Sequence, residues 1–451
     1  MKKQFYSILI KISLTGVLLL NGGIIYGQWQ DVGNPGISDG TAIYNNLKFH
    51  NNEPYVAFKD WANNYGVTTL KFNGTNWENI GNPGFSNEVG TFLDFIFHDG
   101  EPYVAFDDND NSRTPSIMKF NGSSWVSLPS PSSNVAYDIN LASNNGTLYI
   151  AYKDFNTNFK ITVKIFNGST WETLGSQGFS AVGTFWVDLQ FHNDVPYVAY
   201  KEGFDGIDGG YKATVMKYNG TSWGIVGERG FSSGQITYSD LAFYQDQPCM
   251  AYRNEAGNQT LAVMTFNGSD WVDLSSQDFT NNYASAPDLK LYNGELYVLY
   301  TTGGLGDSYA RLKKYNGTNW ENVSGDLVTN SVVFNTNLNF LNNEVYVAME
   351  DYGNSRKLSV KKHTLPTLNI DNLDIYNENN IEIYPIPAHD ILNIKTDEEV
   401  KVFIYDIFGK KVYSSLVNKY SDINISSLHN GIYILKLIQE DRIISKKIIK
   451  E

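Results

Sequence analysis

Apolar residues recur along most of this chain in short alternating runs, and the runs themselves repeat. One run has the form Pro-Tyr-Val-Ala-Phe or a close variant. It occurs at residues 54–58, 102–106, 148–152, 196–200, 248–252, 296–300 and 345–349. Alternation with a period of two, bounded by Gly, Asn and Pro, is typical of β-strands. The pattern therefore predicts one strand that occurs seven times.

A tryptophan recurs at nearly the same interval. The seven positions are Trp29, Trp77, Trp125, Trp171, Trp223, Trp271 and Trp320. In all but the first, an Asn-Gly pair stands shortly before the tryptophan, and this pair supplies the positive backbone angles that a tight hairpin needs. A period near 48 residues with several short strands in each unit is typical of the blades of a β-propeller.

The register of the repeat indicates how the two ends meet. Each unit is predicted to hold four strands, represented in the first unit by residues 47–49, 54–58, 70–72 and the strand at Trp77. Trp29 has no hairpin before it, and the last unit ends at residues 357–363 with no tryptophan after it. We therefore predict an all-β protein, a seven-bladed β-propeller closed by the N-terminal strand, because closure removes exposed sheet edges.

Two repeated features allow a second interpretation. Asn-Gly followed by Thr or Ser also fits the N-glycosylation acceptor pattern, although hairpin geometry accounts for it without a glycan. The tryptophans could stack on sugars or bases, although their constant place in every repeat favours packing between blades.

Composition narrows the setting of the protein. The 451 residues carry a formal net charge of -14, which argues against nucleic acid as a partner. Cys249 is the only cysteine and takes the place of Tyr55 in the repeat, so we interpret it as a packed strand residue. Lys2 and Lys3, an apolar run and Gly27 predict a signal peptide at 1–27. That run is about 15 residues, shorter than a spanning helix, so we expect no transmembrane segment after cleavage.

The repeat stops near residue 363. We predict the propeller at 28–365, a linker at 366–380 and a small C-terminal β-sandwich at 381–451. The sandwich is indicated by short β runs at residues 381–384, 391–394, 400–405, 411–413, 432–437 and 443–449.

The C-terminal segment also carries a set of spaced motif residues. They are Tyr384, Pro385, Pro387, Ala388, Asp406, Gly409, Gly431, Tyr433 and Lys447. With them, residues 381–451 resemble the type A C-terminal sorting domain, or Por secretion tail, of Bacteroidota proteins exported by type IX secretion. Ile386 departs from the family, which usually has Asn there. The resemblance implies that the type IX secretion machinery is a partner, and that the mature protein is secreted or held at the outer-membrane surface after passing the periplasm.

The search for chemistry finds no catalytic motif. The pattern Gly-x-Ser-x-Gly occurs at residues 220–224 and 230–234, but both lie within the β repeat, whereas a nucleophile elbow joins a strand to a helix. There is no His-Glu-x-x-His pair and no glycine-rich phosphate loop. His50, His98 and His192 share one repeat position and could suggest a metal site, although we interpret them as solvated turn residues. We expect no catalytic residues and no cofactor.

Acidic residues recur beside the first and second strands. The candidate ligand-binding rim consists of Asp94, Asp138, Asp188, Asp240, Asp288, Asp60 and Asp154. These carboxylates could accept hydrogen bonds from loop amides. They could instead bind a cation such as Ca²⁺, or sugar hydroxyls together with Trp61 and Trp186.

The resulting hypothesis is a secreted or cell-surface binding or adhesion protein that is not an enzyme and whose ligand is an extracellular glycan or protein. The alternatives are a propeller enzyme that acts on extracellular glycans and a structural surface protein without a discrete ligand.

Overall fold

The fold is known from a computed structural model. It describes residues 28–203, 210–256, 258–275, 280, 283–303, 307–325, 327–366, 381–396, 399–406, 410–439 and 442–451. The predicted signal peptide at 1–27 and the predicted linker beyond residue 366 lie outside the described residues.

The described residues form β-strands almost throughout. Three short 3-10 turns follow second strands, η1 (Asn109–Asn111), η2 (Phe155–Thr157) and η3 (Tyr352–Asn354). This part of the chain contains no α-helix, and hence no helix that is long and apolar enough to cross a membrane. The all-β prediction is confirmed.

The repeats form four-stranded antiparallel sheets, which we number along the chain. Sheet 1 contains β2 (Ala42–His50), β3 (Glu53–Asp60), β4 (Gly66–Phe72) and β5 (Trp77–Asn79). Sheet 2 contains β6 (Val89–His98), β7 (Glu101–Asp108), β8 (Thr114–Phe120) and β9 (Trp125–Ser127). Sheet 3 contains β10 (Ala136–Asn144), β11 (Thr147–Asp154), β12 (Lys160–Phe166) and β13 (Trp171–Thr173).

The next three sheets have the same strand order. Sheet 4 contains β14 (Thr184–His192), β15 (Val195–Glu202), β16 (Ala213–Tyr218) and β17 (Trp223–Ile225). Sheet 5 contains β18 (Ile236–Tyr244), β19 (Gln247–Asn254), β20 (Leu261–Phe266) and β21 (Trp271–Asp273). Sheet 6 contains β22 (Ala284–Tyr292), β23 (Glu295–Thr302), β24 (Tyr309–Tyr315) and β25 (Trp320–Asn322).

Sheet 7 joins the two ends of the repeat region. It contains β26 (Val333–Leu341), β27 (Glu344–Asp351), β28 (Lys357–Thr364) and the N-terminal strand β1 (Gln30–Asp31). β1 pairs antiparallel with β28, with Gln30 opposite Lys362 and Asp31 opposite Lys361. The N-terminal strand thus occupies the place beside residues 357–363 that the register of the repeat indicates.

The Asn-Gly turns and the tryptophans have the local roles that the sequence predicts. In sheet 1, Asn73 Oδ1 accepts hydrogen bonds from the amides of Thr75 and Asn76 at 2.9 and 2.8 Å. Gly74 has a φ of +97°, a backbone conformation that residues with a β-carbon rarely adopt. Trp125 Nε1 donates to the carbonyl oxygen of Ile80 in the neighbouring repeat at 2.8 Å. The tryptophans therefore tie repeats together.

First strands begin earlier than the sequence predicts, and each contains a β-bulge. In six of them the bulge holds a non-glycine residue in the left-handed region. These residues are Tyr44, Asp138, Trp186, Tyr238, Ala286 and Asn335. A bulge adds one residue to a strand and re-aims the side chains around it.

The C-terminal segment folds into two sheets. One contains β29 (Ile381–Tyr384), β30 (Ile391–Thr396) and β33 (Tyr420–Asn424). The other contains β31 (Val400–Asp406), β32 (Lys411–Val417), β34 (Gly431–Gln439) and β35 (Arg442–Lys450). Sequence reasoning missed β33, because Tyr-Ser-Asp-Ile-Asn is largely polar. Leu392, Ile404 and Leu435 are among the residues of a shared apolar core.

Candidate functional site

Most of the predicted acidic rim lies inside the repeat region and connects its sheets. Asp94 Oδ2 of sheet 2 accepts a hydrogen bond from the Leu141 amide of sheet 3 at 2.7 Å. The same bond recurs at five further positions, where a leucine amide donates to an Asp or Asn side-chain oxygen. The pairs are Leu189 and Asn140, Leu241 and Asp188, Leu289 and Asp240, Leu338 and Asp288, and Leu47 and Asn337. Between sheets 1 and 2 the bond is reversed, since Asn46 Nδ2 donates to the Leu93 carbonyl oxygen at 2.9 Å.

These positions correct the predicted rim. Asp94, Asp188, Asp240 and Asp288 lie within the first strands rather than before them. Burial raises the pKa of Asp94 and Asp240. Lys290 Nζ lies 3.2 Å from Asp240 Oδ2 and 2.6 Å from Asp288 Oδ1 and balances their charge. Because backbone amides occupy one oxygen of each carboxylate, the four residues act as braces between sheets.

Asp60 and Asp154 are braces of a second kind, because they accept hydrogen bonds from loop amides, as in the first interpretation of the acidic residues. Both are buried. Asp60 accepts from the Ala62 amide at 3.0 Å and from Thr68 Oγ1 at 2.7 Å. Asp154 accepts from the Asn156 amide at 3.0 Å and from Thr162 Oγ1 at 2.9 Å. Each carboxylate thereby shapes the loop that follows its second strand.

The histidines and the cysteine are possible metal ligands. Within the described ranges, no group of three or more His, Cys, Asp or Glu side chains is arranged to hold a metal ion. His50 and His192 stack on Phe97 and Phe243 of the following sheets. Cys249 is buried, and burial raises the pKa of its thiol.

Asp138 occupies a different position from the other rim residues. It is the bulge residue of sheet 3, with a φ of +49°, whereas Asn140 makes the bond between sheets. The corresponding bulge residues of sheets 4 and 5 are Trp186 and Tyr238, whose rings lie 5.5 Å apart. Residue type alone groups Asp138 with Asp94 and Asp188, because all three are acidic. In the structure the residue of sheet 3 that corresponds to Asp94 and Asp188 is Asn140, two positions later.

Basic side chains recur beside these bulges, directly after the repeated apolar run of the second strand. They are Lys59, Lys153, Lys201 and Arg253, each followed by the last residue of its strand. Lys153 pairs with Tyr137 and Lys201 with Phe185 across the first two strands of their sheets. The equivalent residues in sheets 2, 6 and 7 are Asp107, Thr301 and Glu350, so the cations belong to sheets 1, 3, 4 and 5.

Two of these lysines stand among aromatic rings. Lys153 Nζ lies 4.5 Å from the centroid of Phe185, and Lys201 Nζ lies 4.7 Å from that of Trp186 and 4.8 Å from that of Tyr211. Contacts of this length are cation–π interactions. We define the aromatic–lysine patch as Tyr137, Lys153, Phe159, Phe185, Trp186, Lys201 and Tyr211.

A cleft of about 350 Å³ lies at this patch. Its lining includes Lys153, Phe159, Phe185 and Tyr211, together with Gly183 and Gly203. The Gly203 amide donates to the Gly183 carbonyl oxygen at 2.6 Å, and a β-carbon on Gly203 would meet that oxygen at the same distance. Glycine is therefore needed where the two segments approach under the cleft.

Burial shifts the pKa of Lys201 in the patch and of Asp138 beside it. Asp138 is only 5% exposed, and burial raises the pKa of its carboxyl to about 6, although Lys153 at 3.7 Å acts in the opposite direction. Burial lowers the pKa of Lys201. Within the described part of the chain, Lys201 has no carboxylate at ion-pair distance. Trp61, which the sequence groups with Trp186, instead lies beside Tyr65 and Arg356.

The raised pKa of Asp138 predicts a stability that depends on pH. The folded protein holds the Asp138 proton more tightly than the unfolded chain, so stability is full below pH 4 and falls as pH rises toward about 6. A rise of this size corresponds to about 3 kcal/mol. Asp138→Asn should remove that fall, which guanidinium unfolding at pH 4, 5, 6 and 7 would measure. An unchanged pH profile in the variant would contradict the assignment.

Several motif residues of the C-terminal segment make hydrogen bonds to its backbone. Ala388 is buried and donates its amide to the Ile449 carbonyl oxygen at 2.8 Å. Asp406 Oδ1 accepts from the Lys410 amide at 2.9 Å, and Tyr433 Oη donates to the His429 carbonyl oxygen at 2.8 Å. Tyr384 is exposed, Pro385 and Pro387 follow it before Ala388, and Lys447 is exposed on β35.

Gly431 begins β34, opposite Lys450 on β35, whereas Gly409 lies outside the described residues. Residues 382–451 match the family model described as the secretion system C-terminal sorting domain. This segment is a type IX sorting domain. The sorting domain implies secretion or export to the cell surface, and handling by the type IX machinery.

Two solved structures align with this chain at low sequence identity. The crystal structure of the polysaccharide lyase Uly1 aligns with a TM-score of 0.50 at 8% identity, covering 78% of this chain and 94% of that one. A six-bladed propeller lectin of Aleuria aurantia aligns with a TM-score of 0.41 at 16% identity, covering 65% and 97%. A comparison with curated proteins found no match. The repeated four-stranded antiparallel sheets make the repeat region an all-β, propeller-like fold ahead of the sorting domain.

Sequence reasoning missed the lysines of the patch. Their signal is present, because a basic residue follows the second-strand run at equivalent positions in four repeats. Acidic residues drew attention instead because they recur more often. The ring contacts of Lys153 and Lys201 depend on neighbouring sheets, which a single repeat does not display.

Proposed function

We propose that this exported protein binds an extracellular carbohydrate through the aromatic–lysine patch, on the scaffold of a closed seven-bladed propeller. Residues 28–365 form the propeller, and the protein performs no chemistry on its ligand. The observation that carries the proposal is the cluster of exposed rings and lysines around one cleft. Ligand sites combine apolar ring surfaces with a few placed polar groups in this manner.

The contacts between sheets support the closed scaffold. First strands of successive sheets contact each other, and β26 of sheet 7 also contacts β2 of sheet 1. On the outside, Trp77 Nε1 of sheet 1 donates to the Val32 carbonyl oxygen beside β1 at 2.7 Å. Asn337 makes the corresponding inner bond to the Leu47 amide at 2.8 Å. Sheets 7 and 1 are thus joined by the same kinds of bond as the other sheets.

The surface of the patch supports a carbohydrate ligand. Phe185 and Phe159 are each 39% exposed. The flat faces of such rings pack against the apolar faces of pyranose sugars, and the neighbouring lysines can donate hydrogen bonds to hydroxyls. The rings are also held in place, since Lys153 lies within 5.6 Å of the centroids of both Phe159 and Phe185. A pre-organised surface loses less entropy on binding.

Phe185→Ala should weaken carbohydrate binding about tenfold, equivalent to about 1.4 kcal/mol. The reason is the loss of a ring that faces the cleft. Affinity electrophoresis and calorimetry of the mature protein against a β-glucan, a mannan, polygalacturonate, alginate and a sulfated galactan would measure the effect. The melting temperature should change little, because Phe185 is partly exposed.

Tyr420→Ala provides the control, since Tyr420 is 52% exposed but belongs to the sorting domain. It should leave binding unchanged. Absence of binding to every polysaccharide in the panel, or equal affinities of wild type and Phe185→Ala, would refute the proposed site.

A second candidate function is a propeller enzyme that acts on extracellular glycans. The observation that favours it is Asp138, a buried carboxyl with a pKa near 6 beside Lys153, since general acids and bases work best when their pKa lies near the ambient pH. Incubating the same panel with the protein and assaying new reducing ends or unsaturated products separates the two. Turnover that Asp138→Asn abolishes would replace the binding proposal.

A further inference from the structure

The cations of the patch narrow the class of carbohydrate. We infer that the ligand is anionic, a polysaccharide with carboxylate or sulfate groups, and that Lys201 pairs with one of those groups. The inference rests on the proposed function, because it assigns the ligand class of the same site. Both anionic groups offer the same chemistry to an ammonium, namely a negative charge spread over several acceptor oxygens.

The first support is the contrast between the patch and the rest of the protein. The chain carries a net charge of -14, yet Lys153, Lys201 and Arg253 occupy one register position in three consecutive sheets. Because Asp138 and Glu255 pair with Lys153 and Arg253, Lys201 is the cation of this set that can attract an anion, which the remaining acidic surface repels. Solubility does not require this arrangement, because the net charge already provides it.

The second support is the group that each cation contacts. Lys153 lies 3.7 Å from Asp138, and Arg253 lies 2.7 Å from Glu255. Lys59, the corresponding cation of sheet 1, donates to the Gly90 carbonyl oxygen at 3.1 Å. Lys201 differs, because its ammonium faces the rings of Phe185, Trp186 and Tyr211. Within the described residues no carboxylate lies at ion-pair distance from it.

A half-buried ammonium with no carboxylate at ion-pair distance is unfavourable, and burial lowers the pKa of Lys201 although the more distant Glu255 acts in the opposite direction. An anionic group of a ligand would supply the missing charge in a site partly shielded from water. The rings explain why the partner is a sugar polymer rather than an acidic peptide. They offer stacking surface on either side of the cation, which a pyranose bearing a carboxylate or sulfate can use together with its charge.

The test compares four polymers on the mature protein. They are polygalacturonate, carboxyl-reduced polygalacturonate, a sulfated galactan and polyglutamate. At least one of the two anionic polysaccharides should bind at least tenfold more tightly than the reduced polymer, and that affinity should fall when NaCl rises from 50 to 500 mM. Which of the two binds identifies carboxylate or sulfate as the recognised group.

Lys201→Gln and Lys201→Met should each weaken that binding at least tenfold, whereas Lys201→Arg should retain most of it. Lys71→Gln is the matched control. Lys71 also lies over a ring, 5.6 Å from the Tyr55 centroid, but is paired with Glu53 at 2.7 Å and lies near the other end of its sheet. Melting temperatures of all variants show whether a loss of binding is a loss of folding.

The outcomes separate this inference from the proposed function. Equal binding of the reduced polymer would refute the anionic ligand and leave carbohydrate binding standing. Equal binding of polyglutamate would show that charge alone is recognised and would overturn the inference. Binding of no polysaccharide would remove the proposed function and the inference together.

Discussion

A chain that begins at residue 40 should lose most of the stability of the repeat region. Residues 28–39 provide the outer strand of sheet 7, and Val32 is buried between sheets 7 and 1. The Val32 amide donates to the Val360 carbonyl oxygen at 2.8 Å, and the Ile37 amide to that of Leu358 at 2.7 Å. Truncation also removes the acceptor of Trp77 Nε1.

The expected loss is about 5 to 8 kcal/mol, from about 2 kcal/mol for burying Val32 and about 1 kcal/mol for each of several hydrogen bonds. That approaches the whole stability of a typical domain. Guanidinium unfolding of the full-length mature chain and the truncated chain would measure it. Asp31→Asn is the control, since it breaks only the partly exposed ion pair with Lys361 and should change stability by less than about 1 kcal/mol.

A truncated chain that unfolds cooperatively at the wild-type denaturant midpoint would show that β1 does not contribute to the fold. Loss of stability in Asp31→Asn as large as in the truncation would mean that charge, rather than strand pairing and burial, joins the two ends.

Asp94→Ala should destabilise the protein by about 3 to 5 kcal/mol, whereas Asp94→Asn, which keeps one of the two acceptor oxygens, should cost about 1 to 3 kcal/mol. Asp94 accepts from the Leu141 amide at 2.7 Å and from the Phe95 amide at 2.8 Å, both in buried surroundings. Alanine leaves the two amides without acceptors, and each buried unsatisfied group costs about 1 to 3 kcal/mol. Asparagine retains an acceptor oxygen.

The repeats themselves contain the matched control for this pair of variants. Asn140 performs the same task in sheet 3, where its Oδ1 accepts from the Leu189 amide at 2.9 Å. Burial raises the pKa of Asp94, so its contribution to stability is greatest below pH 4 and declines as pH rises. The stability of Asp94→Asn relative to wild type should therefore improve between pH 4 and 7. Equal stability of the Ala and Asn variants at pH 7 would contradict the brace.

These braces and the patch divide the recurring polar residues into two groups. Asp94, Asp188, Asp240 and Asp288 bond to the next sheet and stabilise the fold. Asp138 is instead the bulge residue of its strand, and burial raises the pKa of its carboxyl to about 6 although Lys153 and the Trp186 amide act in the opposite direction. Groups whose pKa is strongly shifted are often found at functional sites, which is consistent with the place of Asp138 beside Lys153.

Local pattern determined much of this protein. Strand runs, Asn-Gly turns and tryptophans could be read one repeat at a time because alternation, turn geometry and spacing act over a few residues. The same holds for the sorting domain, whose motif residues lie in a short and ordered segment. The pairing of residues around Gln30 with β28 could also be predicted from the sequence. The first tryptophan has no hairpin before it, and the last unit has no tryptophan after it.

Only the tertiary structure decided which polar residues are braces and which face a cleft. One bulge residue in a first strand changes the side-chain register, so Asp138 and Asn140 exchange the roles that residue type suggests. The patch likewise joins Lys153 of sheet 3 with Phe185 of sheet 4. Contacts between repeats depend on how the sheets pack against each other, and no single repeat contains that information.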